Sequence, residues 1–212
     1  LCMKAGIKVK MITGDNKETA PSISKRIGLH GRVIEGQDLD KMTEIELSKI
    51  VSEIVVFARV KPEHKLMIVR ALKLNGEIVT MTGDGVSDAP ALKEAHIGVA
   101  MGKNGTDVSR EVADLTLKDD NFATIVMAIR EGRTIFKNIR KFISYQLSCN
   151  YAELMILFFG VLLAPFLGWQ IPLLLALQIL FMNLVTDDLP AITLALTPSS
   201  LDIMEEKPRK KK

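Results

Sequence analysis

With 212 residues, 25% charged and 48% hydrophobic, the chain is long enough for one or two domains with sizeable cores. Its net charge of +3 is modest, part of it sits in the terminal KPRKKK, and only 5% of residues are aromatic; no basic face interleaved with aromatics argues for nucleic acid as a partner. Cys2 and Cys149 are the only cysteines; they lack metal-ligand spacing and read as free thiols in a reducing compartment.

The opening LCMKAGIKV has no initiating Met and no secretory signal, and it reads as the middle of a helix, so a fragment is expected. IKVKMITGD reads as a strand running into a turn, and NKETAPSISKRIG as a helix closed by Gly28. RVIEG is a short strand, TEIELSKIVSEI has helical periodicity, and VVFARV is a β-branched strand. PEHKLMIVRALKLNG predicts a helix with Pro62 in its first turn and Gly76 just beyond its end. EIVTMTGD, IGVAMG and DLTLKD read as strands, with short helices over SDAPALKEA and TDVSREVA. This alternation predicts an α/β fold, a mainly parallel sheet with helices on both faces. Ligands of such sheets sit beyond the carboxyl ends of the strands, where Asp15 and Asp84 both fall.

From Asn121 a long helix is expected to run without a break into CNYAELMILFFGVLLAPFLG. A membrane span needs roughly 20 predominantly apolar residues. Phe142 to about Leu163 qualifies if Asn150 and Glu153 are tolerated, with a turn at Pro165 and Gly168. IPLLLALQILFMNLVTDDLPAITLAL is a second span, interrupted between Asn183 and Pro190. Lys137, Arg140 and Lys141 precede the pair and KPRKKK follows it, so both ends of the hairpin are expected in the cytoplasm with the α/β part.

Thr13, Gly14 and the helix start after them can offer a hydroxyl and backbone N–H groups to an anion. Carboxylates beside an anion call for a hard cation, and Mg2+ fits oxygen ligands best. Asp84 and Asp88 lie four residues apart across a second Thr-Gly-Asp turn, and Lys65 could bring positive charge to the same anion. A Thr-Gly-Asp turn or a helix lysine alone is commonplace; two such turns, the lysine and a membrane hairpin in one chain are not. Asp119 and Asp120 read as caps of the long helix, and His64 and His96, without matching ligands, as surface or packing residues.

In the apolar spans, Asn150 and Glu153 are spaced to share a helix face, and so are Asn183, Thr186 and Asp187. Pro190 and the polar run before it suggest local unwinding that frees backbone carbonyls as ligands. An ionisable group inside a span is a functional hypothesis by default; an interhelical hydrogen bond would explain Asn150 but poorly explains two carboxylates. Two carboxylates with amide oxygens suit Ca2+.

MITGDN, ARVKPEHK and TMTGDGVSDAPALKEAHIGVAMG closely resemble the phosphorylation domain of P-type cation-transporting ATPases, a haloacid-dehalogenase-like domain, and the resemblance continues through both spans. NYAE and NLVTDDLPA are similar to the fifth and sixth transmembrane helices of sarco/endoplasmic-reticulum-type calcium ATPases. The resemblance implies an ATP-driven pump working through an aspartyl phosphate, with ATP as phosphoryl donor. Thr13, Gly14 and Asp15 would hold the phosphoryl group and its adjoining loop, Lys65 would sit on the phosphate, Asp84 would ligate Mg2+ and Asp88 would lie beside the aspartyl phosphate. Asn150, Glu153, Asn183, Thr186 and Asp187 would ligate the transported cation.

The same resemblance implies a phosphorylation domain over 1–120, a stalk helix over 121–142, the transmembrane hairpin over 143–197 and a cytoplasmic basic tail over 198–212. It implies membrane lipid and the rest of the pump as partners: actuator and nucleotide-binding domains, other transmembrane helices and the nucleophile motif. The expected location is the cell membrane, and these residues alone should not hydrolyse ATP. Na+ or H+ transport, a soluble-type phosphatase and a truncated membrane-anchored regulator of an intact pump are the alternatives. The chain departs from the family pattern in three places: Ser87 stands for the usual Asn, His96 for the usual Asp, and Asp188 for the Gly usual in calcium pumps. Ser87 keeps a hydroxyl but loses an amide's reach and second donor, which predicts a weakened phosphate contact. Ser87→Asn in the full-length protein should raise turnover or the phosphoenzyme level; no change in either would remove that reading.

Overall fold

The computed structural model describes residues 2–15, 26, 28–168 and 174–208. The helix expected over NKETAPSISKRIG lies outside the described residues except for Arg26 and Gly28, and so does the end of the basic tail. The chain divides into two compact units, one of Leu1–Val126 with Met204–Lys212, the other of Met127–Ile203.

In the first unit, the opening is a turn rather than a helix. The Ile7 and Gly6 N–H groups donate to the carbonyls of Cys2 and Met3, both at 3.0 Å, and Gly6 takes φ 74, a conformation that only glycine adopts freely. The strands are β1 (Met11–Ile12), β2 (Arg32–Glu35), β3 (Ile54–Ala58), β4 (Thr80–Gly83), β5 (Ile97–Met101) and β6 (Leu115–Leu117). Between them run α1 (Gly36–Leu39), α2 (Glu44–Ile50), α3 (Pro62–Leu74), α4 (Ala89–Glu94) and α5 (Asp107–Val112). α2 starts on a capping box: Thr43 Oγ1 accepts the Glu46 N–H at 3.3 Å and Glu46 Oε2 accepts the Thr43 N–H at 2.8 Å. Lys10 closes its other end, its ammonium donating to the carbonyls of Val51 at 2.6 Å and Ser52 at 3.4 Å. α3 obeys its punctuation, with Pro62 at the first turn and Gly76 at φ 73 beyond the end.

Every strand pair is parallel, but the strands form two three-stranded sheets, ordered β1-β3-β2 and β4-β5-β6. Two cores match them. Leu47 of α2, Val51 just past its end, and Ile68 and Ala71 of α3 pack on Ile34, Ile54 and Phe57; Val69 of α3 and Ala91 and Leu92 of α4 pack with Val79 and Met81. Ile12 packs against both cores, so side-chain contact joins the sheets where no ladder does among the described residues.

In the second unit, α6 (Phe122–Leu167, which begins in the first) is a helix of 46 residues, roughly 69 Å long at 1.5 Å per residue. It carries Pro165 inside its last turn, and the expected break comes only at Gly168, φ 70. α7 (Ala176–Phe181) and α8 (Asp188–Ala195) are joined by a π-helical segment, Met182–Asp187. The expected unwinding between Asn183 and Pro190 is thus a widened turn instead. Pro190 has no N–H to close a regular turn, and the π geometry absorbs that gap without breaking the helix. α6 and the run Ala176–Ala195 are both long and apolar enough to cross a membrane, by length and composition. Their exposed Phe158, Val161, Phe166 and Leu177 suit a lipid surface rather than water. Beyond α8 the chain returns to the charged part of α6: Asn138 Nδ2 donates to the carbonyls of Ala195 at 3.1 Å and Thr197 at 2.7 Å, and Arg133 Nη1 to that of Ile203 at 2.9 Å. Both ends of the apolar hairpin therefore lie together.

Phe57 is fully buried at the centre of the first core. Phe57→Ala should cost about 3–5 kcal/mol, measured as a lower urea midpoint of the α/β signal in the detergent-solubilised chain.

Candidate functional site

β4 ends in Thr82-Gly83 and runs straight into Asp84, and a single 3-10 turn, Val86–Asp88, leads into α4. This turn folds the Asp88 carboxylate back beneath the strand end, where Asp88 is only 4% exposed. Its Oδ2 accepts the N–H groups of Asp84 and Gly85, both at 3.3 Å, and its Oδ1 accepts the Lys65 ammonium at 2.5 Å. A Cβ at Gly83 would stand 2.5 Å from Asp88 Cβ and 2.7 Å from its Cγ, so the glycine is required by the carboxylate it covers. Ser87 and Asp84 are exposed. The Asp84 carbonyl accepts the Thr106 N–H at 2.9 Å and the Ser109 hydroxyl at 3.1 Å, which pins the backbone and leaves the carboxylate outside.

Lys65 sits in the first turn of α3, and a side-chain cluster sets where that turn begins. Buried His64, 4% exposed, accepts the Lys61 N–H on Nδ1 at 3.2 Å. Its Nε2 therefore carries the proton and donates to Asp40 Oδ1 at 2.8 Å. The Lys61 ammonium donates to Asp40 Oδ2 at 2.9 Å. Hydrogen bonds from Lys61 and His64 hold the Asp40 carboxyl below its ordinary range. His64 is thus more than packing, and Asp40, 24 positions away, is its partner.

The first Thr-Gly-Asp turn is zipped to the end of β3. The Thr13 N–H donates to the Phe57 carbonyl at 2.9 Å, and the Arg59 and Val60 N–H groups donate to the carbonyls of Asp15 at 3.0 Å and Thr13 at 3.2 Å. Arg59 pays for that fit with a left-handed φ of 50. Thr13 Oγ1 accepts the Asp15 N–H at 3.1 Å, so its own hydroxyl proton can be donated outward. Gly14 and Asp15 are exposed, and nothing among the described residues lies within 4 Å of a Cβ built on Gly14. The backbone there is open to close approach. Direct contact thus joins Lys65, Asp88 and the Asp84–Gly85 backbone, while Thr13–Asp15 reaches α3 through residues 57–60.

Two expectations change. The cap of α6 is Asn121, whose side-chain oxygen accepts the Ala123 N–H at 2.9 Å; Asp119 supports that cap from before the helix, its carboxylate accepting the Asn121 N–H at 3.2 Å and the Thr124 hydroxyl at 2.6 Å. Asp120 does not: at φ 52 it turns back and accepts the N–H groups of Gly102 at 2.6 Å, Lys103 at 3.0 Å and Asn104 at 2.8 Å. It thereby holds the loop that delivers Thr106 to Asp84. His96 accepts the Val79 N–H on Nδ1 at 3.2 Å, so an imidazole supplies an acceptor there. Thr106, Ser109 and Asp120 were not legible as supports of Asp84, because their contacts cross 16 to 25 positions.

In the hairpin, Glu153 is 8% and Asp187 6% exposed, and Glu153 Oε1 and Asp187 Oδ2 are buried with no donor among the described residues. Asn183 is half-buried, and Asn150 and Thr186 are exposed. Among the described residues no three His, Cys, Asp or Glu side chains gather as a metal cluster. A single outward carboxylate at Asp84 suits Mg2+, which keeps several waters and phosphate oxygens as ligands.

Residues 2–96 match the haloacid dehalogenase-like hydrolase family, and residues 171–212 match the family described as cation transporting ATPase, C-terminus. The chain is 51% identical over 211 residues to calcium-transporting ATPase 1 of Bacillus cereus and 52% identical over 212 residues to the calcium-transporting ATPase of Bacillus subtilis, covering 98% of this chain and 23% of each relative. It is 45% identical over 208 residues to the human calcium-transporting ATPase type 2C member 1, covering 97% of this chain and 22% of that protein. Among solved structures, the catalytic domain of the CPx-ATPase CopB-B aligns with TM-score 0.46 and 30% identity, over 60% of this chain and 40% of that one. The chain thus spans about a quarter of the length of the curated relatives it matches, 23% for the two from Bacillus.

A carboxylate whose folded-state pKa is depressed stabilises the fold above its unfolded value, 3.8 for Asp40, and loses that contribution as pH falls through the folded value. Asp40→Asn should lower stability at neutral pH and flatten the loss of stability below about pH 4, seen as urea midpoints that converge with those of the unmodified chain on acidification.

Proposed function

We propose that this chain, which belongs to the P-type cation-transporting ATPases, forms the phosphoryl-holding core and the ion-binding hairpin of an ATP-driven Ca2+ pump. The observation that carries the reading is the pair Glu153 and Asp187, carboxylates buried in apolar helices, each with an oxygen that no donor satisfies. Ionisable groups in such helices are costly unless they serve a path or a partner. Two carboxylates, with the Asn150, Asn183 and Thr186 oxygens nearby in sequence, make the hard oxygen set that Ca2+ takes.

In the α/β part, the Thr13 hydroxyl and the open Gly14 backbone bind phosphoryl oxygens, with Asp15 closing the turn behind them. Lys65 brings its charge to the same group, oriented by Asp88 at 2.5 Å. Asp88 stays fixed by two backbone N–H groups, beside the phosphorylated aspartate. Asp84 would hold Mg2+, which neutralises charge on the phosphoryl group in transfer. Ser87, exposed on the same turn, would offer the phosphate one hydroxyl. The nucleophilic aspartate, the nucleotide-binding and actuator domains and the remaining transmembrane helices are assigned to the rest of the protein.

The division proposed is a phosphorylation domain over 1–120, a stalk over 121–142, the hairpin over 143–197 and a basic tail over 198–212. That α6 is one unbroken helix supports a stalk continuous with the first span. The joined ends of the hairpin, flanked by Lys137, Arg140 and Lys141, support a cytoplasmic placement of both, in the cell membrane.

The test is ATPase activity of the full-length protein in lipid vesicles against Ca2+, Na+, K+, Mn2+ and H+. Ca2+ should activate it, and Glu153→Gln and Asp187→Asn should each raise the half-activating Ca2+ concentration by about tenfold or more. Activation by another ion alone, or unchanged Ca2+ activation in both variants, would overturn the reading.

A further inference from the structure

Three buried side-chain oxygens among the described residues lack a hydrogen-bond donor: those of Glu153, Asp187 and, outside the ligand set argued above, Gln146. All three belong to the same compact unit. Gln146 precedes Asn150 by four residues and Glu153 by seven, so the three side chains rise along one stripe of α6. The stripe is roughly 10 Å long at 1.5 Å per residue, and Gln146 is its end nearer Lys137, Arg140 and Lys141.

Resting on the reading of the hairpin as a Ca2+ path, we propose that the Gln146 amide oxygen is a further coordinating group of that path. It meets the divalent cation about two turns before Glu153. A buried amide oxygen without a donor is unfavourable in an apolar surrounding, and a hard cation shedding its water is the species that such an oxygen suits. Being neutral, the amide offers a ligand without the attraction of a full charge. The cation can therefore pass on to the two carboxylates, as multi-site conduction requires. Gln146 thus acts chiefly on how fast Ca2+ arrives and leaves, and the carboxylates on how firmly it is held.

The experiment compares Gln146→Leu, which removes the oxygen at similar volume, with Gln146→Glu, which keeps it, in the full-length protein in lipid vesicles. Rapid-mixing measurements give the rate of Ca2+ binding, and radiolabelled Ca2+ gives the amount held at equilibrium; Glu153→Gln serves as the control. The leucine variant should bind Ca2+ about threefold or more slowly, with the amount held at saturation unchanged, and the glutamate variant should bind at least as fast as the unmodified protein. Equal slowing in both variants would mean a packing role and overturn the proposal. Unchanged rates in both, with binding weakened by Glu153→Gln, would overturn it and leave the pump reading standing. A Glu153→Gln protein that binds and responds to Ca2+ normally would overturn both.

Discussion

The ion pair between Lys65 and Asp88 is the contact on which the α/β half is organised. A carboxylate that is only 4% exposed is tolerable only when its lone pairs are occupied. The two backbone N–H groups of the Asp84–Gly85 turn and the ammonium of Lys65 meet that demand. Each donor then constrains something else. The turn must run close under the strand, which leaves no room for a Cβ at Gly83. The lysine must project from the first turn of α3, whose start is set by His64, Lys61 and Asp40. With its carbonyl held by Thr106 and Ser109, Asp84 can direct only its carboxylate outward. Three segments far apart in the chain thus share one electrostatic centre.

The two compact units solve opposite solvation problems. In the first, apolar side chains turn inward into two cores joined through Ile12, and polar groups collect at the strand ends. In the second, large apolar side chains such as Phe166 and Leu177 turn outward, and the buried positions include Glu153 and Asp187. Lipid supplies no hydrogen bonds, so polar groups on such helices collect on inward faces. The orphan oxygens mark that face. Asn138 makes the complementary contact at the watery end, covering two carbonyls at the end of α8.

Local physics was legible in the sequence, and contacts between distant segments were not. The bounds of α3 follow from Pro62 and Gly76, each of which acts within one turn, and β3 follows from its β-branched run. β1 proved shorter than IKVKMITGD suggested: its ladder with β3 covers only Met11 and Ile12, while the Lys10 side chain reaches the end of α2. Asp119 and Asp120 look alike as helix caps. Only the left-handed backbone of Asp120, held by three N–H groups of a loop 16 to 18 positions earlier, separates them. His64 looked idle because its partner Asp40 lies beyond any local pattern. The two Thr-Gly-Asp turns and Lys65 could be placed at strand and helix ends by punctuation alone. The direct contact of Lys65 with Asp88, and the tether of Thr13–Asp15 to residues 57–60, needed the fold.

The π-helical segment Met182–Asp187 sets the rotational phase between α7 and α8. Each residue turns a regular helix by about 100°, so the loss or gain of a single residue there would swing all of α8 about its axis. Asp187 would leave its buried position, or the carbonyls of Ala195 and Thr197 would leave Asn138. Chain length across these six residues is therefore under tighter constraint than the identity of the exposed Leu184 and Val185. Substitution can drift at those two positions, but insertion and deletion cannot.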